Sequence, residues 1–156
     1  MKKSMTRIMV MFMVVVIMAC VTVETQSVGK GMKTTIMVYS GQPNPTFTII
    51  DKNTIAKIEN LFKNLPKNDN FTGVTVSPSI LGYTGILVEN FSNSMADVES
   101  LLVYREDVEV KTKKPAANDK LKEFHIDQSL ALQALLLQEA LTQGVIDQAL
   151  LDAINK

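Results

Sequence analysis

Side chains that could carry nucleophilic or acid–base chemistry are few in this chain of 156 residues. His125 is the only histidine, so a two-histidine metal site is excluded, and we interpret it as a structural or surface residue. Cys20 is the only cysteine, and it lies in an apolar N-terminal run. The rest of the chain therefore offers no disulfide, no thiol nucleophile and no cysteine-rich zinc site.

The remaining candidates for acid–base chemistry are carboxylates. Glu106, Asp107 and Glu109 are close in sequence, and Glu89 precedes them. General acid–base work needs a buried carboxyl group with a shifted pKa, whereas these acids are expected on a solvated strand face, at exposed strand edges or in loops. A Ca²⁺ site on these acids is the alternative, although the chain has no EF-hand loop. We find neither a G-x-S-x-G serine nor a glycine pattern for nucleotide phosphates, so we expect no catalytic residue, no metal and no cofactor.

The N-terminus predicts export. A basic segment, MKKSMTR, precedes fourteen apolar residues, IMVMFMVVVIMACV, which is typical of a secretory signal peptide and short for a membrane span. Cleavage near Thr25 or Ser27 gives a signal peptide over residues 1–27. The alternative is a bacterial lipobox at 17–20, in which Cys20 would be lipidated and would anchor the protein to a membrane. We prefer ordinary secretion to an extracellular location.

Charge argues against nucleic acid as a partner. Basic and acidic residues balance at 16 each over the whole chain. Because Lys2, Lys3 and Arg7 lie in the first 20 residues and no acid precedes Glu24, removal of residues 1–20 leaves a weakly acidic chain. Nucleic-acid binding relies on a basic face for its sequence-independent affinity.

The body of the chain is predicted to be a flexible lead-in over 28–33 and a single domain over 34–156. Thr34–Tyr39 and Thr46–Ile50 are β-prone and flank a turn rich in proline, so they predict a hairpin. Asp51 is a natural N-cap for an amphipathic helix that Pro66 ends. On that helix the apolar positions define the buried face, and Lys57, Glu59, Asn60 and Lys63 are expected opposite it.

The second half begins with strands and ends with helices. Leu81–Val88 and 98–110 predict further strands, and the glycines of the first suggest a bulge or a close backbone approach. Asp127 is expected to cap a helix that runs to Gln143, and a short helix follows over Asp147–Ile154. This order predicts an α+β fold, with a mainly antiparallel sheet packed on one face by the amphipathic helix and a C-terminal helical pair.

The first C-terminal helix has more apolar side chains than one face needs. Leu130, Ala134, Leu137 and Leu141 form a stripe at helical spacing, and we expect its leucines to be buried against the sheet. Because other leucines widen the stripe, a weak homodimer through this helix is the alternative.

Three sequence features are candidate sites. The turn between the first two strands is rigid and offers Gln42, Asn44 and Thr46 for recognition. The sequons Asn70-Phe71-Thr72 and Asn90-Phe91-Ser92 predict N-glycosylation in a eukaryotic source. Cys20 is the lipidation candidate of the bacterial alternative.

Two short motifs carry a family resemblance. Ser40-Gly41-x-Pro43-Asn44-Pro45 and Leu81-Gly82-Tyr83-x-Gly85 resemble small secreted domains with an S-G-x-P-N-P turn and an L-G-Y-x-G strand. The resemblance covers about residues 34–110 and implies a secreted module of no established activity.

The sequence thus favours a secreted, non-enzymatic module that binds an extracellular protein or belongs to the extracellular matrix. One alternative is a bacterial envelope lipoprotein anchored through Cys20. Another is a small secreted hydrolase or glycan binder that uses Tyr39, Asn44, Tyr83 and nearby acids.

Overall fold

A computed structural model describes residues 31–38, 41, 43–69, 82–113 and 122–156 of the chain. These residues form one antiparallel sheet of six strands and three α-helices, which confirms the predicted α+β class. The strands are β1 (Met32–Val38), β2 (Thr46–Ile49), β3 (Tyr83–Glu89), β4 (Val98–Tyr104), β5 (Asp107–Thr112) and β6 (Lys122–Ile126). The helices are α1 (Lys52–Lys63), α2 (Ala131–Thr142) and α3 (Gln148–Ile154), and a 3₁₀ turn covers Asn93–Met95.

The sheet has the strand order β2-β1-β3-β4-β5-β6. The alternation of buried side chains along the strands identifies the face that packs against the core. A row of register partners crosses the sheet from β1 to β6, and every side chain in it is buried. The row consists of Ile36, Ile86, Val103, Val108 and His125. Because successive side chains of a strand point to opposite faces, this row defines the core side of the sheet.

The opposite face combines half-buried apolar side chains, Leu87, Leu102 and Phe124, with charged pairs. Lys33 contacts Glu89 at 3.0 Å between Nζ and Oε2, and these residues are cross-strand partners on β1 and β3. Lys122 and Glu109 form a similar pair between β6 and β5, at 2.6 Å. Exposed pairs of this kind contribute little to stability, about 0–1 kcal/mol each, so burial of apolar side chains must stabilise the sheet more than these pairs do.

Helix α1 forms largely as its sequence predicts. The Asp51 carboxylate accepts the Thr54 amide at 2.7 Å and caps the helix, whereas Ile58 and Phe62 are buried against the core. The predicted polar face is wrong at one position, because Glu59 is 5% exposed. Its carboxylate is buried because it accepts hydrogen bonds from the turn after β3.

Helix α2 begins later than predicted and buries a different face. Asp127 does cap it, since Oδ2 accepts the Leu132 amide at 2.7 Å, but Leu130 precedes the helix in a left-handed conformation, φ 55°, and is 38% exposed. The prediction that Leu130 is buried is therefore wrong, whereas Leu137 is 1% exposed, as expected. The buried face consists of Leu132, Gln133, Leu136, Leu137 and Ala140.

Glycine in β3 allows two strands to approach closely. Gly85 has a φ of +128°, and a Cβ built there would lie 2.8 Å from the Val103 carbonyl oxygen. The register between β1 and β3 shifts at Met37/Val38, next to this glycine. The predicted bulge and close approach in this strand are both present.

The hairpin between β4 and β5 turns through Arg105, which has a φ of 52°. Buried Gln133 on α2 supports this turn, because its Oε1 accepts the Arg105 amide at 2.6 Å. The same oxygen accepts the Tyr83 hydroxyl at 3.2 Å. One buried amide therefore ties a turn and a strand to the helix above them.

The start of the domain differs slightly from its prediction, and several predicted features lie outside the described residues. Strand β1 begins at Met32, two residues before the predicted domain start, and Met32 is fully buried. The signal peptide, Cys20, Tyr39, Gln42 and Asn70 lie outside the described residues. Within the described ranges, no helix is long and apolar enough to cross a membrane.

Candidate binding groove

A groove of about 500 Å³ lies between α1 and the segment that follows β3. One wall is a face of α1, because Lys52, Ile55, Ala56 and Glu59 recur at helical spacing. The other wall is the segment 90–93, and Ile50 completes the lining from the end of β2. A volume of this size is typical of a ligand pocket or of a cleft that receives a few partner side chains.

The lining combines apolar side chains with a few polar groups. Ile50, Ile55, Ala56 and Phe91 supply apolar surface. Ile50 is 73% exposed, and among the described large apolar residues only Leu130 is also classed as exposed. Single exposed apolar residues are common on protein surfaces, but Ile50 adjoins other apolar side chains within a concave site.

Glu59 fixes the two walls of the groove to each other. Its Oε1 accepts the Ser92 amide at 3.0 Å, and its Oε2 accepts the Ser94 hydroxyl at 2.5 Å. Lys63, one turn further along α1, donates to the Ser94 hydroxyl oxygen at 3.1 Å. These bonds join α1 to the segment after β3, so the groove is formed before any partner arrives.

The Glu59 carboxyl group is held in its charged form. Burial alone would raise its pKa, but the hydrogen bonds from Ser92 and Ser94 and the charge of Lys63 outweigh burial and leave the pKa below 4.5. An ionised carboxylate cannot act as a general acid near neutral pH. Glu59 is therefore suited to holding the groove in shape and placing a negative charge in its wall.

Sequence reasoning missed this groove. The hydrogen bonds that join its walls connect residues 33 and 35 positions apart, Glu59 with Ser92 and with Ser94. No local pattern identifies such a pair, because helical periodicity alone assigns Glu59 to the solvated side. Asn90 is the one predicted site residue in the lining, and it is exposed with a φ of 63°. Its N-glycosylation stays a prediction.

The predicted recognition turn is engaged with its own hairpin. The Asn44 Oδ1 accepts the Val38 amide at 2.9 Å, and the Thr46 hydroxyl lies 3.1 Å from that of Thr35. Both side chains stabilise the ends of β1 and β2, so an alanine at Asn44 is expected to lower stability rather than to affect binding alone. Two other candidate residues also have partners within the protein. Glu89 forms an ion pair with Lys33, and the Tyr83 hydroxyl donates a hydrogen bond to Gln133.

His125 has structural contacts in the core. Its ring nitrogen Nδ1 lies 3.1 Å from the Leu65 carbonyl oxygen, and its ring packs against Phe62 with centroids 5.1 Å apart. Nε2 lies 3.8 Å from a carboxylate oxygen of Glu123, which pairs with Lys67 at 2.8 Å. These contacts fasten the segment after α1 to the edge strand β6.

The predicted acidic strand face is partly buried. Glu106 is exposed, whereas Asp107 and Glu109 are half-buried, and Glu109 pairs with Lys122. Burial, and then the neighbouring charge of Glu106, raise the pKa of Asp107. Among the described residues, no group of three or more His, Cys, Asp or Glu side chains is arranged to hold a metal ion.

Comparison of the chain with family models, with curated proteins and with solved structures finds no match. The resemblance carried by the S-G-x-P-N-P and L-G-Y-x-G motifs therefore stays a prediction. The geometry of the groove and of the strand beside it is the basis for the functional argument.

Proposed function

We propose that this protein is a secreted, non-enzymatic module that binds an extracellular protein, and that the groove around Ile50 is its binding site. The observation that carries the proposal is the 73% exposure of Ile50 at the edge of a groove with apolar walls. Burying an aliphatic side chain of this size is worth about 1.5–3 kcal/mol, which a partner would supply.

The shape of the site supports a protein partner. Binding energy in protein interfaces is concentrated in a few buried anchors near the centre of a larger contact area. Ile50, Ile55 and Phe91 are the large apolar side chains that could act as such anchors, and polar Lys52, Asn90 and Asn93 line the same groove. Because the bonds of Glu59 fix the walls beforehand, little conformational entropy would be lost on binding.

Side chains with catalytic potential are engaged elsewhere, which favours binding over turnover. The Tyr83 hydroxyl is buried against Gln133, and desolvation, reinforced by nearby Tyr104, raises its pKa well above the ordinary value of 10.0. His125 contacts a backbone carbonyl, and Glu59 is ionised by its hydrogen bonds. Each of these groups has a structural role in the described part of the chain.

The test compares two exposed apolar residues that lie on different elements. The purified protein and its Ile50→Asp and Leu130→Asp variants are titrated against the extracellular fraction of the source, fixed to a sensor surface. We expect Ile50→Asp to weaken binding by about 10- to 100-fold, which is the lost burial energy expressed as affinity. Leu130→Asp should bind like the unmodified protein, because aspartate tolerates the left-handed conformation at that position. Equal binding by all three proteins, or an equal loss in both variants, would reject the groove as the site.

A further inference from the structure

The outer edge of β2 directs backbone groups away from the sheet. Ile36 donates its amide to the Pro45 carbonyl at 2.9 Å, and the register then pairs Thr34 with Phe47 and Met32 with Ile49. Hydrogen-bonded pairs alternate in an antiparallel ladder, so the amides and carbonyls of Thr46 and Thr48 point away from β1. The Thr48 carbonyl agrees with this orientation, because it accepts a bond from the Gln143 side chain at 3.5 Å.

The protection of this edge against strand addition is limited to the short length of β2, four residues, and to the side-chain contact from Gln143. Proteins usually protect an exposed edge with charged side chains, prolines or a covering element. The segment 46–50 has no charged residue, and Pro45 removes an amide only at its start. Thr46, Thr48 and Ile50 are exposed, and no strand among the described residues lies on the outer side of β2.

The C-terminal end of this edge adjoins the groove at Ile50. Strand β2 ends at Ile49, and the next residue, Ile50, lines the groove. An extended partner aligned with β2 could form hydrogen bonds with the outward amides and carbonyls of Thr46 and Thr48. Beyond them it would reach the apolar groove at Ile50. Backbone bonds would supply affinity for any extended segment, and the groove would select an apolar side chain.

We propose that the partner binds as an extended β-strand added to the outer edge of β2, with an apolar side chain placed in the groove beside Ile50. This inference rests on the proposed binding function and specifies its recognition mode. The partner is an extended segment rich in β-branched residues, because such residues fit a pleated, half-buried surface. The side chain of Gln143 would be displaced from the Thr48 carbonyl on binding.

The probe is the capped peptide Ac-Lys-(Thr-Val)₃-Thr-Lys-NH₂, and its control is the same peptide with every threonine and valine N-methylated, which blocks both edges of the strand. Hydrogen exchange of the Thr46 and Thr48 amides is measured by NMR with and without each peptide. We expect the unmethylated peptide to slow exchange at both amides at least about tenfold, because each would gain a backbone partner. The methylated peptide should leave both rates unchanged. No slowing at Thr46 and Thr48, or slowing by both peptides alike, would overturn the proposal.

A variant series gives the second readout. Thr48→Pro removes an outward amide without breaking the β1–β2 ladder, and proline is tolerated at such edge positions. It should weaken peptide binding at least about tenfold, whereas Thr48→Ala, which keeps the amide, should bind like the unmodified protein. Gln143→Ala should bind more tightly because it frees the Thr48 carbonyl. Equal affinities across the series contradict strand addition, and the exchange measurement decides the matter if Thr48→Pro does not fold.

Binding of these variants to the extracellular fraction distinguishes strand addition at β2 from binding in the groove alone. Loss of this binding in Ile50→Asp but not in Thr48→Pro would retain the groove and reject strand addition. Loss in Thr48→Pro but not in Ile50→Asp would instead reject the groove. A dimer of the protein alone that Thr48→Pro dissociates would show that a second copy occupies the edge and would overturn the proposal as stated.

Discussion

The Thr34 hydroxyl is buried in the core without a hydrogen-bond partner among the described residues. A buried polar group left unpaired costs about 1–3 kcal/mol, whereas an apolar group of the same shape avoids that cost. Thr34→Val keeps the branched shape and should raise the free energy of unfolding by about 1 kcal/mol in urea titrations. The matched control is Thr35→Val, where the hydroxyl contacts Thr46 and no gain is expected. A loss of stability in Thr34→Val would show that the hydroxyl has a partner.

Glu59 is the opposite case, a buried carboxylate that is well hydrogen-bonded. Its pKa is lower in the folded state than its ordinary value of 4.5, so its contribution to stability is present above pH 4.5 and is lost as pH falls through the folded-state pKa. Glu59→Gln retains the size but accepts fewer hydrogen bonds, and it should cost about 1–3 kcal/mol at neutral pH.

The pH dependence distinguishes this charge effect from simple misfit. The stability difference between the unmodified protein and Glu59→Gln should shrink below pH 4.5, where the carboxylate becomes protonated. Glu99→Gln, which removes an exposed ion pair with Lys111, should change stability by less than about 0.5 kcal/mol. A Glu59→Gln penalty of equal size at every pH would argue against the charge as its cause.

Among the elements, α2 is the helix whose buried face could not be predicted from the sequence. The sequence ALQALLLQEALT is apolar on most sides, so periodicity does not identify the buried face. Leu137 is buried in the core, and Leu137→Ala should cost about 2–5 kcal/mol in urea unfolding. Leu130→Ala, at the exposed position before the helix, should cost less than about 0.5 kcal/mol. Equal effects would mean that α2 is rotated relative to this structure.

The homodimer predicted through α2 stays a prediction, and the same samples test it. A melting temperature that rises with protein concentration over about a hundredfold range would support the dimer. A melting temperature that does not change with concentration would count against it.

The turn between β1 and β2 is specified by backbone conformation rather than by packing. Gly41 has a φ of +75°, and a Cβ built there meets no atom within 4 Å. Gly41→Val should therefore cost about 1–3 kcal/mol through backbone strain alone. Gly41→Asn is the control, because asparagine visits the left-handed region more readily and should cost less. Superimposable melting curves for Gly41→Val and the unmodified protein would show that the turn relaxes.

At the scale of the whole molecule, local signals in the sequence predicted more of the fold than of the site. The caps at Asp51 and Asp127 follow from short-range rules that one segment satisfies by itself. Strand β6 was missed because its five residues follow a lysine-rich sequence that predicts a loop, and because they include His125 in the core. The groove was missed because its walls meet only after α1 packs beside the segment following β3, far away in sequence.

The two ends of the sheet have different roles in this account. At one end, buried Gln133 accepts hydrogen bonds from the Arg105 amide and the Tyr83 hydroxyl. These polar groups therefore hold the turn and the strand against α2. At the other end, Ile50 and the outward edge of β2 leave apolar and backbone groups accessible. The first end is therefore expected to stabilise the domain, and the second to bind its partner.

The most direct test is hydrogen exchange of the protein bound to the component that it retains from the extracellular fraction, resolved residue by residue. The account predicts slower exchange at Thr46, Thr48 and Ile50 and at residues 90–93, with unchanged rates at the Arg105 turn. Slower exchange confined to the Arg105 turn or to the sheet face that carries Lys33 and Lys122, with Thr48 and Ile50 unchanged, would contradict it.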